Sequence, residues 1–187
     1  MSCVVWLYLK HLLWGSSMVD IYDDVLEPHI AELIHMQMKE VYWQYDYHSQ
    51  NGQVNKHWHV LGGHDDDEVI KNGYEWLLPI WNTSIKKYNF EDKYKVNRYK
   101  RLYMNAHTHG IEPHLHKDEG DFTMIYYPRL DWRMSWQGGT LVDGKLIPYV
   151  GNRLIVFPAK NPHQAQAVCR ECYELRSVIV FKTSIME

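Results

Sequence analysis

The chain is poor in cysteine, with three residues of the type in its whole length. Cys3, Cys169 and Cys172 are too few, and odd in number, to make a disulfide framework. A reducing, cytoplasmic setting is therefore expected. There is no apolar run long enough to span a bilayer, so no membrane partner is expected. Residues 1–17, MSCVVWLYLKHLLWGSS, are apolar and end in small residues, which gives them a weak likeness to a secretory signal. They lack a basic start, and Lys10 and His11 interrupt the run. An N-terminal strand or helix is the plainer expectation, as is a start assigned ahead of a domain that begins at Met18. Basic excess is also missing: net charge is −3 and no basic stripe appears, so a nucleic-acid partner is not expected. With 45% apolar and 23% charged residues the composition is not that of a disordered chain. Internal repeats, low-complexity tracts and linkers are absent as well. One domain over residues 1–187 is expected, long enough to bury a real core. Nothing in the sequence sets an oligomeric state.

Histidine and aromatic residues are abundant instead: 12 His, 14 Tyr and 8 Trp, so their placement has to be read residue by residue. Residues 18–26 read as a short edge strand running into a turn. Glu27-Pro28 opens a helix, since Pro is tolerated in a first turn. Ile30, Leu33, Ile34, Met38 and Val41 then recur at helical spacing, a stripe that packs on a core. Residues 42–63 are rich in aromatics and His around an Asn51-Gly52 turn signal. His57 and His59 share a face if this is a strand. The expectation is an edge strand with surface histidines; the functional alternative is the wall of a substrate groove. Asp65-Asp66-Asp67 suits the start of a second helix, where acidic side chains cap amides and match the dipole. Val69, Ile70, Tyr74, Leu77 and Trp81 continue it, weakened or kinked at Gly73 and Pro79. Lys86-Lys87-Tyr88 closes this helical half.

From Lys95 the period changes from helical to alternating, beginning with Val96 to Tyr103. Short strands follow at 122–127, 139–143, 153–157 and 175–182, separated by Gly and Pro. This pattern predicts a mainly β protein with N-terminal helices, built on a double-stranded β-helix, a jelly-roll or cupin-like core. Residues 1–95 would supply helical support and the first strands, and 96–187 the core.

Within that core, His114, His116 and Asp118 fall at every second position. On an extended segment they share one face, so a His and an Asp can grip one metal ion from the same side. Two His plus one carboxylate, with positions left open, is the ligand set of non-haem Fe(II) oxygenases. The distant second His is His163, after a predicted strand end. Arg176 sits in Glu174-Leu175-Arg176-Ser177-Val178-Ile179-Val180-Phe181. An Arg in so apolar a strand must be paired if it points inward, and its fork suits the carboxylate of a small diacid. His114 is the rival ligand, as half of a His-x-His pair. Cys169-Arg170-Glu171-Cys172 is a lone Cys-x-x-Cys with no second pair to complete a zinc site, so two ordinary thiols in a hairpin tip are expected.

From Tyr99 to Lys182 these features resemble the 2-oxoglutarate- and Fe(II)-dependent dioxygenases, and their prolyl-hydroxylase branch in particular. The resemblance rests on His116-Lys117-Asp118; on Thr123-Met124-Ile125-Tyr126-Tyr127 followed by Asp131-Trp132; on Gly138-Gly139-Thr140-Leu141; on Gly151 to Phe157; on Asn161-Pro162-His163; and on Arg176. It implies His116, Asp118 and His163 as Fe(II) ligands. It implies Arg176 as the salt bridge to the distal carboxylate of 2-oxoglutarate, Tyr127 as a hydrogen-bond donor to that carboxylate, and Tyr103 near metal and co-substrate. The gap from His163 to Arg176 is longer than in the family, because a tip at about 169–172 is inserted; Arg170 is the rival anchor. Pro128-Arg129 stands where Leu-Asn is common. The implied activity is hydroxylation of an unactivated C–H with O2 as second co-substrate, succinate and CO2 as by-products, and ascorbate as a supporting reductant. The carboxylate at 118 points the same way, since halogenating relatives carry a small residue there. The implied substrate is a prolyl residue of a peptide or protein, with Trp132, Arg133, Trp136 and segment 43–59 as groove candidates. A free amino acid or other small molecule is the alternative, as is a cupin-like metal- or ligand-binding module without catalysis.

Overall fold

The computed structural model describes residues 19–48, 55–111 and 113–186. The expectations for residues 1–17 and for the Asn51-Gly52 turn lie outside these. Ten strands and four α-helices are described. In chain order they are β1 (Asp20–Tyr22), α1 (Pro28–Gln37), β2 (Gln44–Tyr47), β3 (His57–Gly63), α2 (Asp66–Lys71), α3 (Leu78–Lys87), α4 (Phe90–Tyr94), β4 (Tyr99–His107), β5 (Phe122–Tyr127), β6 (Thr140–Val142), β7 (Lys145–Ile147), β8 (Arg153–Pro158), β9 (His163–Ala165) and β10 (Arg176–Thr183). Seven strands form one sheet in the order β1-β8-β5-β10-β4-β3-β2, and three form a second, β7-β6-β9. All pairings of named strands are antiparallel.

The central strands are apolar at nearly every position because both faces of the large sheet are covered. Alternation sorts them into two cores. Ile179 and Phe181 of β10, Met124 and Tyr126 of β5, Leu154 and Val156 of β8, and Leu102 and Met104 of β4 turn to the helix side. Val178 and Val180, Ile125 and Tyr127, Ile155 and Phe157, and Tyr103 turn the other way, toward the small sheet. Helix α1 contributes Ala31 and Ile34 to the outer core, and α3 contributes Ile80 and Trp81. The Trp81 ring sits 5.6 Å from Phe181 and 5.3 Å from Tyr99. Burying each such side chain stabilises by roughly 1.5–3 kcal/mol.

Three sequence expectations change. The run from Asp65 to Trp81 is not one kinked helix. Asp65 caps α2, accepting from the Glu68 amide at 2.9 Å, but α2 ends at Lys71. Gly73 takes a positive φ of 80°, a 3-10 turn follows at Glu75–Leu77, and Pro79 lies in the first turn of α3, the place Pro fits. Nor does Tyr88 close the helical half, since α4 follows it. Finally, β3 is not an edge strand: β2 pairs outside it. Its histidines therefore face inward, His59 buried and His57 half-buried.

Candidate active site

Residues 114–118 are extended, and the backbone fixes them against β9. His116 and His163 are directly opposite, each amide donating to the other's carbonyl at 2.9 Å. The Asp118 amide donates to the Ala159 carbonyl at 2.8 Å. One extended segment thus brings its His and its carboxylate to the second His.

The two imidazoles are held alike. Nδ1 of His116 is 2.8 Å from the His114 carbonyl, and Nδ1 of His163 is 2.9 Å from the Asn161 carbonyl. A carbonyl can only accept, so Nδ1 carries the proton and Nε2 presents its lone pair. Those Nε2 atoms lie 3.8 Å and 3.3 Å from the Asp118 carboxylate. Ligand atoms of His116, Asp118 and His163 all fall within 4.8 Å of one another. Two bare imidazole nitrogens and a carboxylate on one side of a point fit a divalent metal of the Fe(II) kind. His114 contributes its carbonyl to orient His116, and is not in this cluster.

Asp118 is kept ionised. Burial would raise its pKa, but its contacts with His163 and Lys182 outweigh that and hold it well below the usual carboxylate range. Lys182 Nζ lies 2.9 Å from Oδ1, and the Thr123 hydroxyl donates to Oδ2 at 2.7 Å. Burial, then the neighbouring His163, lowers the His116 pKa, which keeps its ring neutral and available as a ligand.

The other end of β10 carries Arg176, only 2% exposed. Its Nε donates to the Gly138 carbonyl at 2.6 Å, and Nη2 to the Gly139 carbonyl at 3.1 Å and the Thr140 hydroxyl at 3.2 Å. Gly138 takes a positive φ of 77°, and an added Cβ would press on Arg176, Trp132 and Val168. A side chain there would displace the carbonyl that orients the guanidinium. No carboxylate pairs with Arg176 among the described residues. A buried charge without a counter-ion is unfavourable unless an anion completes it, and this one opens on the pocket.

A single pocket of about 700 Å³, open mouth included, joins the two ends. His116, Asp118, His163, Arg176 and Tyr103 all line it. Tyr103 stands at the metal end, where burial, then the Asp118 charge, pushes its hydroxyl well above the usual phenol range. Tyr127 does not reach the pocket wall. Its hydroxyl donates at 2.7 Å to Thr140, whose hydroxyl also accepts from Arg176. Arg170 is exposed in the 169–172 tip, far from the role of a buried anchor. Trp132 and Trp136 pack on each other at 5.2 Å, against Cys172 and Val168, and are not in the pocket wall.

The sequence reading missed several residues. Thr140 lies beside the anchor, and His107 is the cross-strand partner of Arg176. His57, Asn105 and His107 form the far wall. Lys182 was findable: Arg176, Val178, Val180 and Lys182 share one strand face. His57 entered only as the groove-wall alternative, because nothing local says that β3 lies inside the sheet.

No protein-family model matches the chain, and no curated protein matches it. The fold, however, is the double-stranded β-helix of the 2-oxoglutarate/Fe(II) oxygenases. A prolyl hydroxylase from Trichoplax adhaerens, solved with a peptide fragment of a hypoxia-inducible factor, is similar with TM-score 0.59 and 14% identity, over 98% of this chain and 94% of that one. An oxidoreductase of the 2OG-Fe(II) oxygenase family from Burkholderia pseudomallei gives 0.63 and 11%, over 98% and 91%. HygX from Streptomyces hygroscopicus, solved with nickel and 2-oxoglutarate, gives 0.63 and 6%, over 95% and 87%. At these identities the likeness establishes the architecture, and the chemistry rests on the residues.

Proposed function

We propose that this chain is an Fe(II)- and 2-oxoglutarate-dependent oxygenase that hydroxylates an unactivated C–H bond. The observation that carries the reading is a single pocket with two bare imidazole nitrogens and a carboxylate at one end and an uncompensated buried guanidinium at the other. His116, Asp118 and His163 would hold the iron. Bound iron, with 2-oxoglutarate and O2, supplies the oxidising chemistry that yields succinate, CO2 and the hydroxylated product.

The protein's own residues supply geometry and exclusion of water. Arg176 pairs with the distal carboxylate of 2-oxoglutarate, and the Thr140 hydroxyl, itself held by Tyr127, stands ready to hydrogen-bond it. Ile125, Val178 and Val180 give the pocket dry walls between the two ends. Lys182 and Thr123 keep Asp118 charged and oriented. The substrate is read as a prolyl residue of a peptide or protein, supported by the peptide bound to the Trichoplax neighbour. The second reading is a free amino acid or other small molecule. It is favoured by Trp132 and Trp136 packing on each other outside the pocket wall.

Fe(II) and 2-oxoglutarate added without oxygen should give a weak visible charge-transfer band. Asp118→Ala and His163→Ala should each abolish it; a band that survives either change removes the ligand assignment. Succinate release, screened over proline-rich peptides and free amino acids, decides the substrate.

A further inference from the structure

The inner face of the large sheet carries a second cationic centre, at the opposite end of β10 from Arg176. Lys182 and Arg101 are direct cross-strand partners on that face. Like charges in that position destabilise a sheet unless something anionic lies between them. Asp118 answers Lys182, but it is also the carboxylate of the metal triad. Arg101 has no carboxylate partner among the described residues. Its Nη2 meets two neutral groups, the Tyr47 hydroxyl at 3.1 Å and His59 Nε2 at 3.4 Å. Its Nε–H is buried without any acceptor. The guanidinium lies 4.8 Å from the Tyr103 ring centre, and the Lys182 ammonium lies 5.6 Å from it. Both cations therefore flank one pocket-lining tyrosine.

The remaining groups here add no negative charge. Asp118 is the one acid in the pocket wall among the described residues. His59, beside Arg101, stays neutral, with burial outweighing its bond to Asn105. A divalent metal on the triad would draw further on the Asp118 charge, and 2-oxoglutarate would be balanced by that metal and Arg176. The Arg101–Lys182 end then keeps an excess of positive charge next to the reacting centre. Six residues of strand separate Lys182 from Arg176, about 20 Å of backbone, so one small diacid cannot serve both cationic centres. Arg101, Lys182 and Tyr47 stand outside the pocket wall itself, but both cations flank its Tyr103 and are each partly open to solvent, so a ligand can reach them.

We infer that Arg101 and Lys182, with the Tyr47 hydroxyl, form a subsite for an oxyanion group, carboxylate or phosphate, on the substrate that this oxygenase hydroxylates. The inference rests on the oxygenase reading, and it narrows the substrate to one that carries an anionic group close to the attacked carbon. A free amino acid fits, as does a phosphorylated metabolite; an uncharged internal peptide segment does not.

The test uses acetate and inorganic phosphate as probes on the metal-free protein, at constant ionic strength, followed by backbone amide NMR. One or both probes should shift the signals of Arg101, Tyr103 and Lys182 saturably. Acetate alone assigns a carboxylate, phosphate alone a phosphate ester. Arg101→Gln should weaken the probe about tenfold or more, as loss of a charge-assisted contact does, and Arg101→Lys should restore part of it. No saturable shift, or equal shifts in Arg101→Gln, overturns the subsite. Mn(II) and 2-oxoglutarate binding, measured separately by electron paramagnetic resonance, reports on the oxygenase reading. Arg101→Gln should leave it unchanged, and a loss of 2-oxoglutarate affinity in that variant would instead make Arg101 part of the co-substrate site.

Discussion

The two faces of β10 solve opposite problems with the same backbone. Outward, Ile179 and Phe181 lie in the helix-side core and are 0% and 1% exposed. Inward, the strand starts with Arg176 and ends with Lys182, with Val178 and Val180 between them. The outer face stabilises by burial. The inner face holds two charges where burial opposes them, and one of the two has no counter-ion among the described residues. Stability and site chemistry are therefore separated by a side-chain parity, so substitutions one residue apart should affect different measurements.

The largest separation is expected from Phe181→Ala. The side chain is enclosed by Trp81 and Tyr99, with ring centres at 5.6 Å and 5.7 Å. The cavity should lower unfolding free energy by about 3–5 kcal/mol. Urea unfolding measures this, while 2-oxoglutarate binding per folded molecule should hold. A parallel drop in 2-oxoglutarate affinity would show that the two faces are coupled. Next comes Arg176→Met, which removes a buried charge at similar length. Affinity for 2-oxoglutarate should fall by about a hundredfold, as for loss of a buried ion pair's partner, while metal still binds. The melting temperature should hold or rise, because a hydrophobic side chain replaces an uncompensated charge. A large fall in stability with unchanged 2-oxoglutarate affinity would make Arg176 a structural residue.

The same parity explains what the sequence could show. The alternating run from Lys95, the punctuated strands, and the ligand pattern at 116, 118 and 163 depend on local spacing, and the structure places those three residues together. Arg176 could be read from one fact, a charge within an apolar strand. Tyr127 shows the limit: it lies on the right face of β5, but only the position of β6 reveals that Thr140 intercepts its hydroxyl. The edge-strand expectation for His57 and His59 fails for the related reason that strand order is not local, while the groove-wall alternative holds for His57. A short β2 covers β3, and that turns expected surface histidines into part of a wall. Trp132 and Trp136 looked like groove residues by type, yet Gly138 and the 169–172 tip draw them beneath the anchor.

The smallest predicted effect tests whether that wall is a special property of the inner face. His57 and His59 are each pulled down to about 4, by burial first and then, respectively, by His59 and by Arg101 working against the Asn105 hydrogen bond. Burial and Arg176 hold His107 well below its ordinary value. On the helix side His35 is also lowered by burial, but there Asp131 opposes the shift. The sign follows from proton counts. Below the ordinary value of 6.5 the unfolded chain protonates these rings, while the folded chain leaves them neutral until about pH 4. Their stabilising contribution is therefore complete above 6.5 and is lost as pH falls from there toward 4. Each fully buried ring contributes a slope of about 1.4 kcal/mol per pH unit, and partly exposed His57 contributes less. His59→Phe keeps a ring stacked on Tyr47, now 3.8 Å from His59, and removes one titrating group. Urea unfolding of the metal-free protein between pH 7 and 5 should show the slope reduced by about one proton. An unchanged slope would place the acid sensitivity outside this wall, and the inner face would lose its claim to be the pH-responsive half of the sheet.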